Sequence, residues 1–149
     1  MSLHRAAITW KRKTADFALD TYGREHLVTF GGGARLEVSA ASEYHGDATK
    51  PNPEEQLVAA LSSCHMLTFL AICARKKVVI DAYDDEAEGV LEKNAEGRLA
   101  VTQVTLRPRV TFGDGASVDE ATLDSLHAAA HRGCFIASSV KTEVTIARR

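Results

Sequence analysis

Asn52-Pro53-Glu54-Glu55-Gln56-Leu57-Val58-Ala59-Ala60-Leu61-Ser62-Ser63-Cys64 is the stretch on which the reading of this chain turns. Asparagine is a favoured N-cap, proline suits the first helical position, and two acids in the first turn meet the positive end of the helix dipole. A helix therefore starts here. From Leu57 to Cys73 only Ser62, Ser63, His65 and Thr68 interrupt an apolar or small run. A helix apolar on all sides is ordinarily buried on all sides, which predicts that Cys64 lies in the interior. Taken alone, a buried cysteine is a small hydrophobe.

The same stretch resembles the helix that carries the reactive cysteine in the family of osmotically inducible protein C and the organic hydroperoxide resistance proteins (OsmC/Ohr). Ala130-His131-Arg132-Gly133-Cys134-Phe135-Ile136-Ala137-Ser138-Ser139-Val140 resembles that family's second-cysteine segment, with Phe135 where many members have proline. The likeness runs from about Ile8 to Ile146. It implies an intertwined homodimer and a thiol-dependent peroxidase that reduces organic hydroperoxides without a bound cofactor. In that reading Cys64 is the attacking thiol and Cys134 the resolving one. Glu54 matches the acid that holds the family's catalytic arginine, which is placed at Arg24, with Arg35 in reserve. A thiol reductant, such as a dihydrolipoyl protein, would reset the disulfide.

The chemistry needs these residue types. A thiolate attacks the O–O bond, a cation favours the thiolate, and a second thiol intercepts the sulfenic acid before further oxidation. Glu54 and Cys64 are ten residues apart, about 15 Å along a straight helix. One site using both would draw Glu54 from a second subunit.

The rest of the chain bounds the reading. Its 149 residues suit one domain, and a net charge of −2 without a basic stripe argues against nucleic acid or an anionic membrane as partner. Met1-Ser2-Leu3-His4-Arg5 leads into strand-like sequence rather than a signal peptide, so a cytoplasmic location is expected, with the three cysteines reduced. Leu57–Cys73 is read as too short for a membrane span, and Arg75-Lys76-Lys77 as cations suited to a helix C-terminus.

Alternation predicts strands at Ala6–Lys11, Phe17–Asp20, Leu27–Phe30, Arg35–Ser39, Val78–Tyr83 and Glu88–Lys93, with turns at Gly31-Gly32-Gly33 and Asn94–Gly97. The clearest strand runs from Gln103 to Phe112, with Pro108 at an edge or bulge. A second helix fits Val118–His131, ended by Gly133, and a last strand carries Val140, Thr142, Val144 and Ile146. The order predicts an α+β fold of antiparallel sheets packed on a central helix.

Rival readings stay open. His65 adjoins Cys64 but points elsewhere on the helix, and Cys73 reads as core. His127, His131 and Cys134 could share one face and hold a metal. Asp84-Asp85-Glu86 reads as a solvated turn, and no Gly-x-Ser-x-Gly elbow suggests a hydrolase. A redox-sensing or small-molecule-binding module would keep the same fold without turnover.

Overall fold

The computed structural model describes residues 1–149 and divides into two compact units, Met1–Gln56 and Leu57–Arg149. The first unit is a three-stranded antiparallel sheet in the order β1 (Ala6–Thr9), β2 (His26–Phe30), β3 (Arg35–Val38). Ala6 pairs with Phe30, and His26 with Val38. The turn between β2 and β3 closes where the Phe30 N–H donates to the Ala34 carbonyl, and Gly33 takes φ +87°, a conformation glycine adopts without steric cost. Phe17–Asp20 is not a strand. It is a turn in which the Ala18 carbonyl accepts from Thr21 and Tyr22, and Phe17 packs its ring against Trp10 and Tyr22 instead of joining a ladder.

Helix α1 (Pro53–Arg75) starts at a reciprocal cap. The Glu55 N–H donates to Asn52 Oδ1 at 2.8 Å, and the Asn52 N–H donates to Glu55 Oε2 at 2.9 Å, which satisfies two otherwise orphaned donors. At 23 residues α1 is long and apolar enough, by length and composition, to cross a membrane, so the expectation that it is too short does not hold. Its second-unit stretch does something else: Leu61, His65, Phe69 and Cys73, four residues apart, form a stripe buried against sheets and α2.

The second unit holds two small sheets. β4 (Ile80–Asp85) pairs antiparallel with β7 (Pro108–Phe112), and β6 (Leu99–Leu106) lies between β5 (Glu88–Lys93) and β8 (Glu143–Ile146). Helix α2 (Glu120–Gly133) is capped by Asp119, whose side chain accepts from the Thr122 N–H. β8 runs parallel to β6, so the sheets are not wholly antiparallel. The connection explains this, since a parallel pair needs a long crossover and α2 supplies it.

The single strand predicted over Gln103–Phe112 is two strands in different sheets. Pro108 has no N–H, and the Arg107 N–H donates to Asp85 Oδ1 at 2.6 Å instead of to a ladder, so the chain changes sheet at this point. Asp85 also accepts from the Ser62 hydroxyl of α1. It is therefore a structural tie between α1, β4 and the β6–β7 junction, not a solvated turn acid. The last strand is shorter than expected: Lys141 and Thr142 form a bend, where the Thr142 hydroxyl donates to the Val101 carbonyl, and pairing begins at Glu143.

Leu61 packs with Val104 and Leu106 in one core cluster, and Phe69 and Cys73 pack with Leu126 and Ala130 in another. Cys73 is core, as read. Gly89 lets β5 lie close to α1, since a Cβ there would fall 2.6 Å from Val58 Cγ2.

Candidate active site

Cys64 is half-buried, not interior. The inference from an all-round apolar helix fails because α1 has two apolar sides, of which the sheets and α2 cover one. Ser63, Cys64, Leu67 and Thr68 lie on the other, lining an open groove of about 670 Å³ that Phe135 and Ile136 border from beyond α2. Phe135 and Leu67 are among the most exposed large side chains of the molecule.

The structure brings the two cysteines together. Cys134 caps the C-terminus of α2 and is 1% exposed, with its sulfur accepting from the Ala137 N–H at 3.4 Å. Burial, and then the neighbouring Cys64 thiol, push the Cys134 thiol upward from its ordinary range, so it stays protonated at neutral pH. Both sulfurs are free thiols. Gly133 permits the approach, since a Cβ at that position would stand 3.0 Å from Thr68 Cγ2, one helical turn beyond Cys64. A larger residue would prise the end of α2 from the face that carries Cys64.

The remaining expected residues lie in the first unit. Arg24 donates to the carbonyls of Tyr22 and Leu19, and its guanidinium stacks 3.7 Å from the centre of the Tyr22 ring. Arg35 sits on β3 opposite Thr29, and no ion pair or hydrogen bond engages its side chain. Glu54 is half-buried in the first turn of α1, and its carboxylate likewise has no partner.

The trio His127, His131 and Cys134 is not a metal site. His127 faces α1, where its Nδ1 lies 3.0 Å from His65 Nε2, and no three His, Cys, Asp or Glu side chains converge as ligands. His65 and His127 are buried and nearly coplanar, 5° between planes and edge to edge, and Phe69 stacks on His127 at 4.3 Å. One ring donates and the other accepts, which leaves His65 Nδ1 and His127 Nε2 without protein partners. Burial first of all holds both imidazoles at about 4, well below 6.5, so both are neutral near pH 7. His65 thus points away from Cys64 and serves the core.

Two features escaped the sequence reading. One is the histidine pair, although His65 falls in the same four-residue series as Leu61, Phe69 and Cys73. The other is the place of Arg75, read only as a cation at the helix C-terminus: it is the one charged residue that lines the groove beside Cys64. Its spacing of eleven residues from Cys64 returns it to nearly the same helix face.

Residues 45–148 match the family described as OsmC-like protein. This chain belongs to the OsmC-like family. An OsmC-like protein of unknown function from Vibrio cholerae O1 biovar eltor is 42% identical, with a TM-score of 0.95 over 100% of both chains. The OsmC-like fold recurs in an organic hydroperoxide resistance protein from Legionella pneumophila, at 17% identity and a TM-score of 0.73 over 99% of this chain and 96% of that one. The uncharacterized protein YmaD of Bacillus subtilis (strain 168) is 26% identical over 110 residues, 73% of each chain. In this OsmC-like protein the α+β architecture expected from the sequence is the one observed.

Proposed function

We propose that this OsmC-like protein is a cytoplasmic thiol-dependent peroxidase for organic hydroperoxides, working as a homodimer with the whole chain as one functional domain. The observation that carries the reading is the placement of a half-exposed thiol, Cys64, in an apolar groove whose far wall, Gly133 and Phe135, flanks a buried one, Cys134. The Cys64 thiolate attacks the outer peroxide oxygen, the O–O bond breaks, and the departing alkoxide takes a proton to become the alcohol. Cys64 is thereby oxidised to the sulfenic acid. Cys134 then attacks that sulfur, an S–S bond forms, the S–O bond breaks, and hydroxide leaves as water with the Cys134 proton. Two equivalents of an external thiol, or one dithiol such as a dihydrolipoyl protein, reduce the disulfide. Burial keeps Cys134 away from peroxide, so only Cys64 meets the oxidant, and the apolar lining suits alkyl substituents better than hydrogen peroxide.

The purified protein should consume an organic hydroperoxide with dithiothreitol as reductant. One equivalent of peroxide without reductant should yield an intramolecular Cys64–Cys134 disulfide, seen by mass spectrometry of the digest. A protein that forms the disulfide but never turns over would favour the sensing or binding reading.

Arg24 is proposed as the cation that favours the thiolate, with Glu54 of the second subunit holding it bidentately. A nearby cation favours a thiolate, so Arg24→Ala should slow Cys64 alkylation by a thiolate-selective reagent, followed as a profile of rate against pH. An unchanged profile in Arg24→Ala with a displaced one in Arg35→Ala would transfer the role to Arg35.

A further inference from the structure

Cys134 is enclosed by its own chain. Its sequence neighbours Gly133 and Phe135 line the groove beside Cys64, but Cys134 does not, and its 1% exposure is reached without any second subunit. The segment that follows folds back on it. The Ala137 N–H donates to its sulfur at 3.4 Å, and its carbonyl accepts from the Ser138 N–H at 3.1 Å and from the Ser138 hydroxyl at 3.1 Å. All three bonds join neighbours in sequence, so they depend on a local turn and not on the redox state of the sulfur.

Thiol–disulfide exchange is an in-line displacement. The incoming sulfur approaches along the S–S axis from behind the sulfur it attacks, and the far sulfur leaves with the electron pair. For Cys134 that line runs through packed protein. Cys64 is the sulfur that a soluble peroxide must already reach for the proposed reaction to occur, whatever a second subunit covers. Acidity alone argues the other way, because burial pushes the Cys134 thiol up and a less acidic thiol leaves more slowly. The Ala137 and Ile136 N–H groups act against that push. Access decides the outcome, since a blocked approach prevents attack whereas a less acidic leaving group only slows it.

We propose that the reductant attacks the disulfide at Cys64 alone, and that Cys134 leaves as a thiolate received by the Ala137 N–H. The proposal rests on the Cys64–Cys134 disulfide of the peroxidase reading and deepens it. A reductant thiolate forms an S–S bond to Cys64, the Cys64–Cys134 bond breaks, and the electron pair goes to Cys134, which takes from solvent the proton that the reductant gave up. A second thiolate then attacks the reductant's sulfur in the mixed disulfide and frees Cys64 as a thiolate. The reductant ends as its own disulfide, and the protein regains two thiols.

The disulfide is made with diamide, so the test needs no peroxide turnover. Oxidised wild type is mixed with excess glutathione, quenched in acid at the earliest times and digested without reduction. Mass spectrometry should find glutathione on the Cys64 peptide and a free thiol on the Cys134 peptide. Glutathione chiefly on Cys134 would overturn the proposal. A second arm removes the donor. Ligation at the Gly133–Cys134 junction of a synthetic Cys134–Arg149 segment, with an ester in place of the Ile136–Ala137 amide, keeps every side chain and deletes one N–H. Dithiothreitol should reduce this disulfide about fivefold more slowly than that of the all-amide ligated protein, part of what a hydrogen bond to a charged acceptor contributes, while alkylation of Cys64 in the reduced protein is unchanged. An equal or faster reduction would show that no charge develops on Cys134 and would overturn the proposal. If diamide joins the cysteines and peroxide does not, the peroxidase reading falls while both arms still report the side of attack. If neither oxidant joins them, both fall.

Discussion

Cys64→Ser is expected to abolish organic hydroperoxide reduction, to the level of the uncatalysed reaction, while leaving the fold intact. A serine hydroxyl is far less acidic than a thiol and a much weaker nucleophile toward the O–O bond. Cys64 is half-exposed on the groove side of α1, so the change removes no core packing. Cys134→Ser should behave differently. Its first turnover should proceed at the wild-type rate, since attack needs only Cys64, but later turnovers should fail as the unresolved sulfenic acid over-oxidises. Serine in place of a 1%-exposed sulfur also puts a hydroxyl into the core, so Cys134→Ala is the companion variant. Stopped-flow peroxide consumption, with mass spectrometry of the Cys64 peptide, separates the two cases. Retained multiple turnover in Cys64→Ser would remove the enzyme reading at this residue, and wild-type steady-state turnover in both Cys134 variants would remove Cys134 as the resolving thiol.

The histidine pair carries the second large effect, on stability. His65 and His127 are buried on facing sides of α1 and α2 and titrate at about 4 in the folded protein, against 6.5 when exposed. The sign follows from linkage: the unfolded chain binds more protons than the folded one between those values, so the contribution is complete above pH 6.5 and is lost as pH falls through about 4. For one histidine, every pH unit that separates its folded from its unfolded titration is worth about 1.4 kcal/mol, so even one member of the pair withdraws on the order of 3 kcal/mol over that window. Asp85 and Asp124 lessen the effect on His65 and His127 respectively, while His131 and Arg148 deepen it. Urea unfolding between pH 7.5 and 4 should show a steep loss of stability in wild type that is largely flattened in His65→Leu/His127→Leu. The single variant His127→Leu should be the least stable of the three at pH 7, by about 1–3 kcal/mol, because it strands the His65 ring without its partner. Equal pH slopes in wild type and the double variant would show that other groups govern the acid transition.

Much of the site was legible in the chain. The Asn52–Glu55 cap depends on local hydrogen bonds between neighbours in sequence, and it forms as read. Cys64 and Cys134 were singled out through the family's motifs, seventy residues apart, and the structure joins them. What misled was the treatment of α1 as one uniform surface. Apolarity on all sides predicted burial on all sides, yet only the stripe through Leu61, His65, Phe69 and Cys73 is covered by the second unit. The strand predicted across Gln103–Phe112 failed for a similar reason. Alternation continues through Pro108, and only the distant carboxylate of Asp85 shows that the ladder breaks at Arg107.

By itself the sequence determined the things that local chemistry controls. These are where α1 begins, which helix and segment carry Cys64 and Cys134, that glycines close the β2–β3 turn, and that strands and helices alternate in an α+β order. Propensity, capping and periodicity act over a few residues, so they can be read in a single stretch. The tertiary structure alone decided which side of α1 is core and which is groove, that His65 meets His127, that Asp85 ties three elements together, and that β8 runs parallel to β6. Each of these joins residues more than twenty positions apart. The energy that selects among such pairings comes from burial and hydrogen-bond satisfaction over the assembled core, and no local pattern in the chain encodes it.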